Sequence, residues 1–240
     1  MKQMIHFSLA LVLLAGTAGF SAEIIHISNN FEDDMPRVLN TGRGWSVGKT
    51  IDVEIVNDPV SGDQKALLMK RNASGAVTYT SAGGSNRRLL LAENGKYEWS
   101  FSFYVDSSSP KTSGSSMFIF LDTGATTGVF ASLLIRFDAS RGWSAYAYDA
   151  LNAPFTGFSS YRQLCKIDMD QWYDAKVLIT IEKGKVGYDV TIGSNTHTVR
   201  PQTGGAAFAP GSNVRMGWSP QIDGTTMLFD NLQLKTISVP

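Results

Sequence analysis

The 240-residue chain is nearly without cysteine, poor in histidine and low in charge. Its one cysteine, Cys165, excludes an internal disulfide and with it the small disulfide-stapled scaffolds. A nucleophilic role for Cys165 would need a neighbouring general base that the sequence does not point to. It reads instead as a small buried hydrophobe. Charged residues make up only 18%, and 21 Lys and Arg balance 21 Asp and Glu. That balance leaves no electrostatic footprint for nucleic acid or an anionic membrane. At 43% hydrophobic the chain is too apolar to be disordered. No segment reaches the roughly 20 apolar residues that a bilayer-spanning helix needs, and no long amphipathic helix is visible. Gly-x-Ser-x-Gly, His-Glu-x-x-His, a phosphate-binding glycine loop and Cys/His metal spacing are all missing.

What is present begins with a leader. Lys2 supplies a positive start, Phe7 to Ala15 form a short apolar run, and small residues lead to Phe20-Ser21-Ala22. This is the anatomy of a secretory signal peptide, predicted over residues 1–22. The protein is therefore expected to be secreted or periplasmic, with no cysteine near the cleavage point to carry a lipid. The remainder, 23–240, shows no composition shift or Pro-rich linker and is expected to be one domain, monomeric by default.

Through that domain, apolar and polar residues alternate with the period of two that gives a strand one buried face. The clearest run puts Trp99, Phe101, Phe103 and Val105 on one side and Ser100, Ser102 and Tyr104 on the other. Val177, Ile179 and Ile181, then Val186, Tyr188, Val190 and Ile192, flank Lys183-Gly184-Lys185 as a hairpin. Further strands are predicted over 50–56, 65–70, 76–81, 117–121, 130–138, 143–149, 196–200, 214–218 and 226–237. Asp168–Trp172 could form one helical turn, and Ser107–Ser116 reads as a flexible surface loop. This many short strands in one chain predicts an all-β fold, a two-sheet antiparallel sandwich or a barrel.

Four motifs recur in a telling order. Asn29-Asn30-Phe31-Glu32 stands near the start, then Gly62-Asp63-Gln64-Lys65-Ala66-Leu67, then Gly95-Lys96-Tyr97-Glu98-Trp99-Ser100-Phe101, and finally Phe229-Asp230-Asn231-Leu232-Gln233-Leu234. The set resembles the jelly-roll carbohydrate-binding modules grouped around families four, nine and twenty-two. The second half, with Gln171-Trp172-Tyr173 ahead of the hairpin, also resembles the wider concanavalin A-like lectin and glucanase superfamily. Both imply a two-sheet antiparallel jelly roll and a polysaccharide or glycan partner. A jelly roll can pair its first and last strands, which would bring Glu32 near Asp230. The resemblance implies a structural Ca²⁺ held by those two carboxylates, with Asp63 or a carbonyl near Lys65 adding oxygens, since calcium takes six to eight. The alternative is that Glu32 and Asp230 cap turns or pair with surface cations.

Sugar recognition wants aromatic faces beside a few directional polar groups. Arg141–Tyr161 is the most aromatic stretch, and alternation sets Tyr146 and Tyr148 on one face with Trp143 on the other. Phe155, Phe158 and Tyr161 read as a following loop. In the preceding strand Ser132, Leu134 and Arg136 share a face. Arg136, Trp143, Tyr146 and Tyr148 are the predicted glycan-binding residues, if the polar faces line the concave sheet. Catalysis finds less support. None of the six glutamates (Glu23, Glu32, Glu54, Glu93, Glu98 and Glu182) lies in the paired-carboxylate strand motif of jelly-roll glucanases. Asp168 and Asp170 read as turn residues. A lyase would need His197 to work with Arg200 and a tyrosine, and a lone histidine in a Thr-rich strand is more often structural. The leading expectation is a secreted module that binds glycan non-covalently. A lyase or hydrolase on the same scaffold, and an adhesive domain with no sugar site, are the alternatives.

Overall fold

The computed structural model describes residues 24–32, 45–47, 51–71, 77–80, 94–122, 129–148, 161–183, 185–199, 215–220 and 224–238. Among them are fifteen strands and no helix: β1 (Ile24–Asn29), β2 (Trp45–Val47), β3 (Ile51–Asn57), β4 (Lys65–Arg71), β5 (Val77–Thr80), β6 (Gly95–Val105), β7 (Ser116–Asp122), β8 (Val129–Asp138), β9 (Gly142–Tyr148), β10 (Tyr161–Lys166), β11 (Trp172–Glu182), β12 (Lys185–Ile192), β13 (Asn195–Val199), β14 (Arg215–Pro220) and β15 (Thr226–Ser238). The predicted leader, residues 1–22, lies outside the described residues, as do Phe155, Phe158 and Arg200.

Two antiparallel sheets pack face to face as a jelly-roll sandwich. Sheet I runs β13-β12-β11-β6-β15-β4-β3, with β1 also on β15, and sheet II runs β10-β9-β8-β7-β14-β5-β2. Alternation decides which side chains meet between them. From sheet I come Trp99, Phe101, Phe103 and Val105 of β6, Val177, Ile179 and Ile181 of β11, and Phe229 and Leu234 of β15. Sheet II answers with Met117, Ile119, Leu133, Ile135, Ala145 and Ala147. Each large side chain so buried contributes about 1.5–3 kcal/mol, which lets a domain this size fold without a disulfide. Tyr188 ties the layers together, donating its hydroxyl hydrogen from sheet I to the Tyr148 carbonyl of sheet II.

The first and last strands do lie side by side: Asn29 stands opposite Leu232 and Ile24 opposite Thr236. The same edge of β15 pairs with β4 over Thr226–Phe229. Two strands thus share one edge, and over the gap between them the pairing of β15 with β6 on its other edge shifts register between Asp230 and Gln233. Phe31 and Asn231 take left-handed backbone there, at φ 60° and 51°. The turn after β1 and the bulge in β15 face each other at this seam.

Several expectations are corrected. The stretch Asp168–Trp172 is a tight turn with Asp170 left-handed at φ 59°, not a helical turn. The Ser107–Ser116 segment is pinned rather than loose. Buried Ser109 Oγ donates to the Thr226 carbonyl (2.7 Å) and accepts from the Thr226 amide (2.9 Å), and the buried Ser115 carbonyl accepts from the Phe137 amide. Tyr161 opens a strand, β10, which a bulge between Gln163 and Cys165 disguises. The short strands β1 and β2 were not predicted.

Candidate functional site

On the outer face of sheet II, antiparallel register sets side chains in rows. Ser116, Arg136, Ser144 and Lys166 stand opposite one another across β7, β8, β9 and β10. Phe118, Leu134, Tyr146 and Gln163 form the next row. Beyond it Tyr148 stands opposite Tyr161, with ring centroids 5.3 Å apart. Ser132 Oγ and Tyr161 Oη share a hydrogen bond of 3.0 Å. Burial raises the Tyr148 and Tyr161 hydroxyls above the ordinary tyrosine range, so both stay protonated donors. A relay links the polar groups: Arg141 Nη1 donates to Gln163 Oε1, and Gln163 Nε2 donates to Ser144 Oγ, both at 3.2 Å.

The predicted binding residues separate on this geometry. Arg136, Tyr146 and Tyr148 share the outer face. Trp143 does not: it points between the sheets, 4% exposed and edge-on to Phe137 at 5.9 Å. The strand that turns Tyr146 outward necessarily turns Trp143 inward, so it is a core residue. Tyr146 and Tyr148 are only 2% and 5% exposed, packed with Leu134, Tyr161 and Phe118. They make a floor rather than free stacking platforms. The accessible groups are Arg141, Gln163 and Lys166, with Arg136 half-buried. Gln163 escaped the sequence reading because the bulge breaks its alternation.

The seam on sheet I gathers acids. Glu32 Oε1 accepts the Lys65 amide (2.9 Å), and Lys65 Nζ donates to the Glu32 carbonyl (2.6 Å). Asp58 accepts from the Val60 amide (2.8 Å), Ser61 Oγ (2.8 Å) and Trp172 Nε1 (2.9 Å). Half-burial pushes the Asp230 carboxyl up to about 6. The Asn231 amide opposes that shift, and the negative charges of Glu32 and Asp58 add to it. Beside the seam Trp172 covers Tyr104, centroids 5.5 Å apart. Tyr104 is pushed up to about 12 by burial and by its bond to Asp170.

These donors do not make a calcium cage. Among the described residues no three acids, histidines or cysteines gather as metal ligands. Asp63 is exposed on the 58–64 turn and is not among the carboxylates that act on Asp230; Asp58 takes that place. The Lys65 ammonium already sits on the Glu32 carbonyl, and Asp58 is committed to three donors. Glu32 and Asp230 meet as expected, but the set Glu32, Asp63 and Asp230 is not assembled.

No protein-family model and no curated protein sequence matches the chain. Solved structures do. A carbohydrate esterase from the Shiga toxin-encoding bacteriophage phi24B superposes with a TM-score of 0.61 at 15% identity, covering 90% of this chain and 100% of that one. An endo-1,3-beta-glucanase from Streptomyces sioyaensis gives 0.59 at 10% identity, covering 91% and 98%. Peanut lectin gives 0.53 at 10% identity, covering 91% and 99%. The fold is that of the concanavalin A-like jelly rolls. At such identities the likeness fixes architecture alone, because this scaffold carries many functions.

Within this jelly roll the Asp170 carboxylate and the Asp168 backbone amide have structural partners. Asp170 Oδ1 accepts from Tyr104 Oη (3.1 Å) and the Ser107 amide (2.9 Å). The Asp168 amide donates to Tyr173 Oη (2.9 Å). Both therefore fasten the turn before β11. His197 is half-buried on β13, opposite Val190.

Proposed function

We propose that the protein is an exported carbohydrate-binding module that holds a glycan non-covalently against the outer face of β8, β9 and β10. The observation that carries this reading is the relay from Arg141 through Gln163 to Ser144, laid over a tyrosine floor. Directional donors and acceptors on a rigid aromatic base are what an uncharged polyol ring needs for orientation. Strand-borne groups of this kind are preorganised, so little side-chain entropy is lost on binding.

A glycan array and pull-downs on insoluble polysaccharides test it. The wild-type chain is expected to bind, and Gln163→Ala and Arg141→Ala, which remove the exposed members of the relay, to weaken binding several-fold with an unchanged circular dichroism spectrum. Tyr146→Phe keeps the floor and removes only a hydroxyl, so it separates hydrogen bonding from packing. Absence of binding to any glycan would leave the adhesive-domain alternative.

A structural calcium at the seam is a secondary reading. It draws its support from the like charges of Glu32, Asp58 and Asp230, and it would require Lys65 to yield its place. Chelation that leaves the melting temperature unchanged discards it.

A further inference from the structure

Among the described residues the sheets end on β13, β3 and β1 in sheet I and on β10 and β2 in sheet II. An open strand edge is a template for pairing with another chain, and proteins blunt such edges with charge, bulges or shortness. β3 carries the exposed Asp52 and Glu54. β10 carries the exposed Arg162 and Lys166 and is bulged between Gln163 and Cys165. β1 is bulged between Ile25 and Ile27, and β2 is three residues long. β13 is built otherwise. Its residues, Asn195-Thr196-His197-Thr198-Val199, carry no acid, lysine, arginine or proline, and it pairs with β12 in unbroken register. Asn195, Thr196 and Thr198 are exposed, and among the described residues β12 is the one strand it pairs with.

The hairpin fixes which backbone groups face outward. Ile192 and Asn195 close the two-residue turn Gly193-Ser194, with Gly193 left-handed at φ 57°. The closing residues of such a turn exchange both backbone bonds, and bonded pairs then alternate along an antiparallel ladder. His197 and Val199 therefore turn their amides and carbonyls toward Val190 and Tyr188. Thr196 and Thr198 turn theirs to the open edge. Their side chains lie on the outer face of sheet I, where the Thr196 and Thr191 hydroxyls share a bond of 2.9 Å.

The order Thr-His-Thr reads the same from either end, which is what a strand needs to meet its own copy across a two-fold axis. We infer that β13 pairs antiparallel with β13 of a second copy about an axis at His197, joining the two copies of sheet I into one continuous sheet. Thr196 then stands opposite Thr198 of the second copy, and the two exchange both backbone bonds on each side of the axis. Facing threonines are a favourable cross-strand pair, and no like charges meet. Five residues a side fall short of the roughly 1,200–2,000 Å² that a tight complex buries. The dimer is accordingly one that forms at micromolar concentration and above.

The axis stands perpendicular to the sheets, so both copies turn the outer face of sheet II the same way. This consequence rests on the reading of that face as a glycan site. Two sites facing one polysaccharide raise its apparent affinity by about 10²–10⁴ without a new contact.

Sedimentation equilibrium on protein expressed from the whole chain tests the pairing. The mass is expected to rise from one copy to two across the micromolar range. Thr196→Lys with Thr198→Lys sets like charges opposite each other and should weaken association at least about tenfold. Both positions are exposed, so the circular dichroism spectrum and melting temperature of the dilute protein should not move. Thr196→Lys with Thr198→Glu sets opposite charges face to face in this register and should restore association to the wild-type level or beyond. A single-copy mass at every concentration overturns the inference. So does a dimer that the double lysine leaves intact, or one that the two double variants weaken alike. Pull-down on insoluble polysaccharide separates the two readings. A β13 dimer that holds no glycan keeps the pairing and removes the glycan site, and a glycan binder that stays single does the reverse.

Discussion

The outer faces of the two sheets are built from the same sequence pattern and do different things. β6 sends Ser100, Ser102 and Tyr104 outward, and β9 sends Ser144, Tyr146 and Tyr148 outward. By alternation alone the two are equivalent. Their neighbours in register are not. On sheet I, Tyr104 lies under Trp172, and carboxylates lock both: Asp170 takes the phenol and Asp58 takes the indole. On sheet II the tyrosines lie beside the exposed Gln163 and Lys166 and the half-buried Arg136. An outward aromatic becomes cover or site according to what the next strand contributes, and the next strand is set by topology.

The largest effect expected from breaking this comparison comes from Trp143→Ala. Because Trp143 fills the space between the sheets, truncation should cost about 3–5 kcal/mol. At about 2–4 °C per kcal/mol for a domain of this size, the melting temperature should fall by roughly 6–20 °C. The fraction that stays folded should bind glycan as wild type does. Lost affinity with unchanged stability would place Trp143 in the site after all.

Next comes Trp172→Phe, which keeps the ring over Tyr104 but removes the donor to Asp58. A buried partner left short of one bond costs about 1–2 kcal/mol, readable by denaturant unfolding. Glycan affinity should not change. If it falls while stability holds, the binding surface belongs to sheet I and the assignment of the two faces is reversed.

These contrasts also mark what the sequence could and could not disclose. Alternation is a local signal, so β6, β9, β11 and β12, the inward sense of Trp99 and the opposite facing of Trp143 and Tyr146 were legible. Which of those two faces the core was not, and for that reason Trp143 stands among the predicted binding residues. The pairing of β1 with β15, and so the meeting of Glu32 with Asp230, followed from the order of motifs in the resembled jelly rolls. Asp58 was not legible: it precedes Pro59 in a turn and owes its role to Trp172, 114 positions away. Gln163 was hidden by the bulge that shifts register between it and Cys165. Burial of Tyr146 and Tyr148 is likewise a property of packing, and alternation has no term for it.

Asp230→Asn tests the acidic side of the comparison. The carboxyl rises from 3.8 to about 6 on folding. The native state therefore holds this proton more tightly than the unfolded chain. Stability from this group is greatest below about pH 4 and is lost as pH rises through about 6. The full shift corresponds to about 3 kcal/mol, but Asp230 is only half-buried, and screening reduces the expected gain to roughly 1 kcal/mol. At pH 8 the Asn variant should melt a few degrees higher than wild type, and the difference should vanish near pH 4. If calcium occupies the seam, the order inverts in its presence: wild type is stabilised and the variant is not.

The smallest effect belongs to the far end of sheet I, where charges of both signs pair off. Glu98 meets Lys235 at 3.2 Å and Lys176 at 3.3 Å. Burial alone would raise the Glu98 carboxyl, but the bonds to Lys235 and Lys176 outweigh it and hold the group below its ordinary value. A lowered carboxylate stabilises above its unfolded value of 4.5, and that contribution is lost as pH falls through the folded value. Lys176 is 59% exposed, so its share is slight, while Lys235 at 20% carries more. Glu98→Gln should cost about 0.5 kcal/mol at pH 7 and nothing near pH 3, by urea unfolding at both. A cost that persists at pH 3 would mean that Glu98 acts through packing rather than charge.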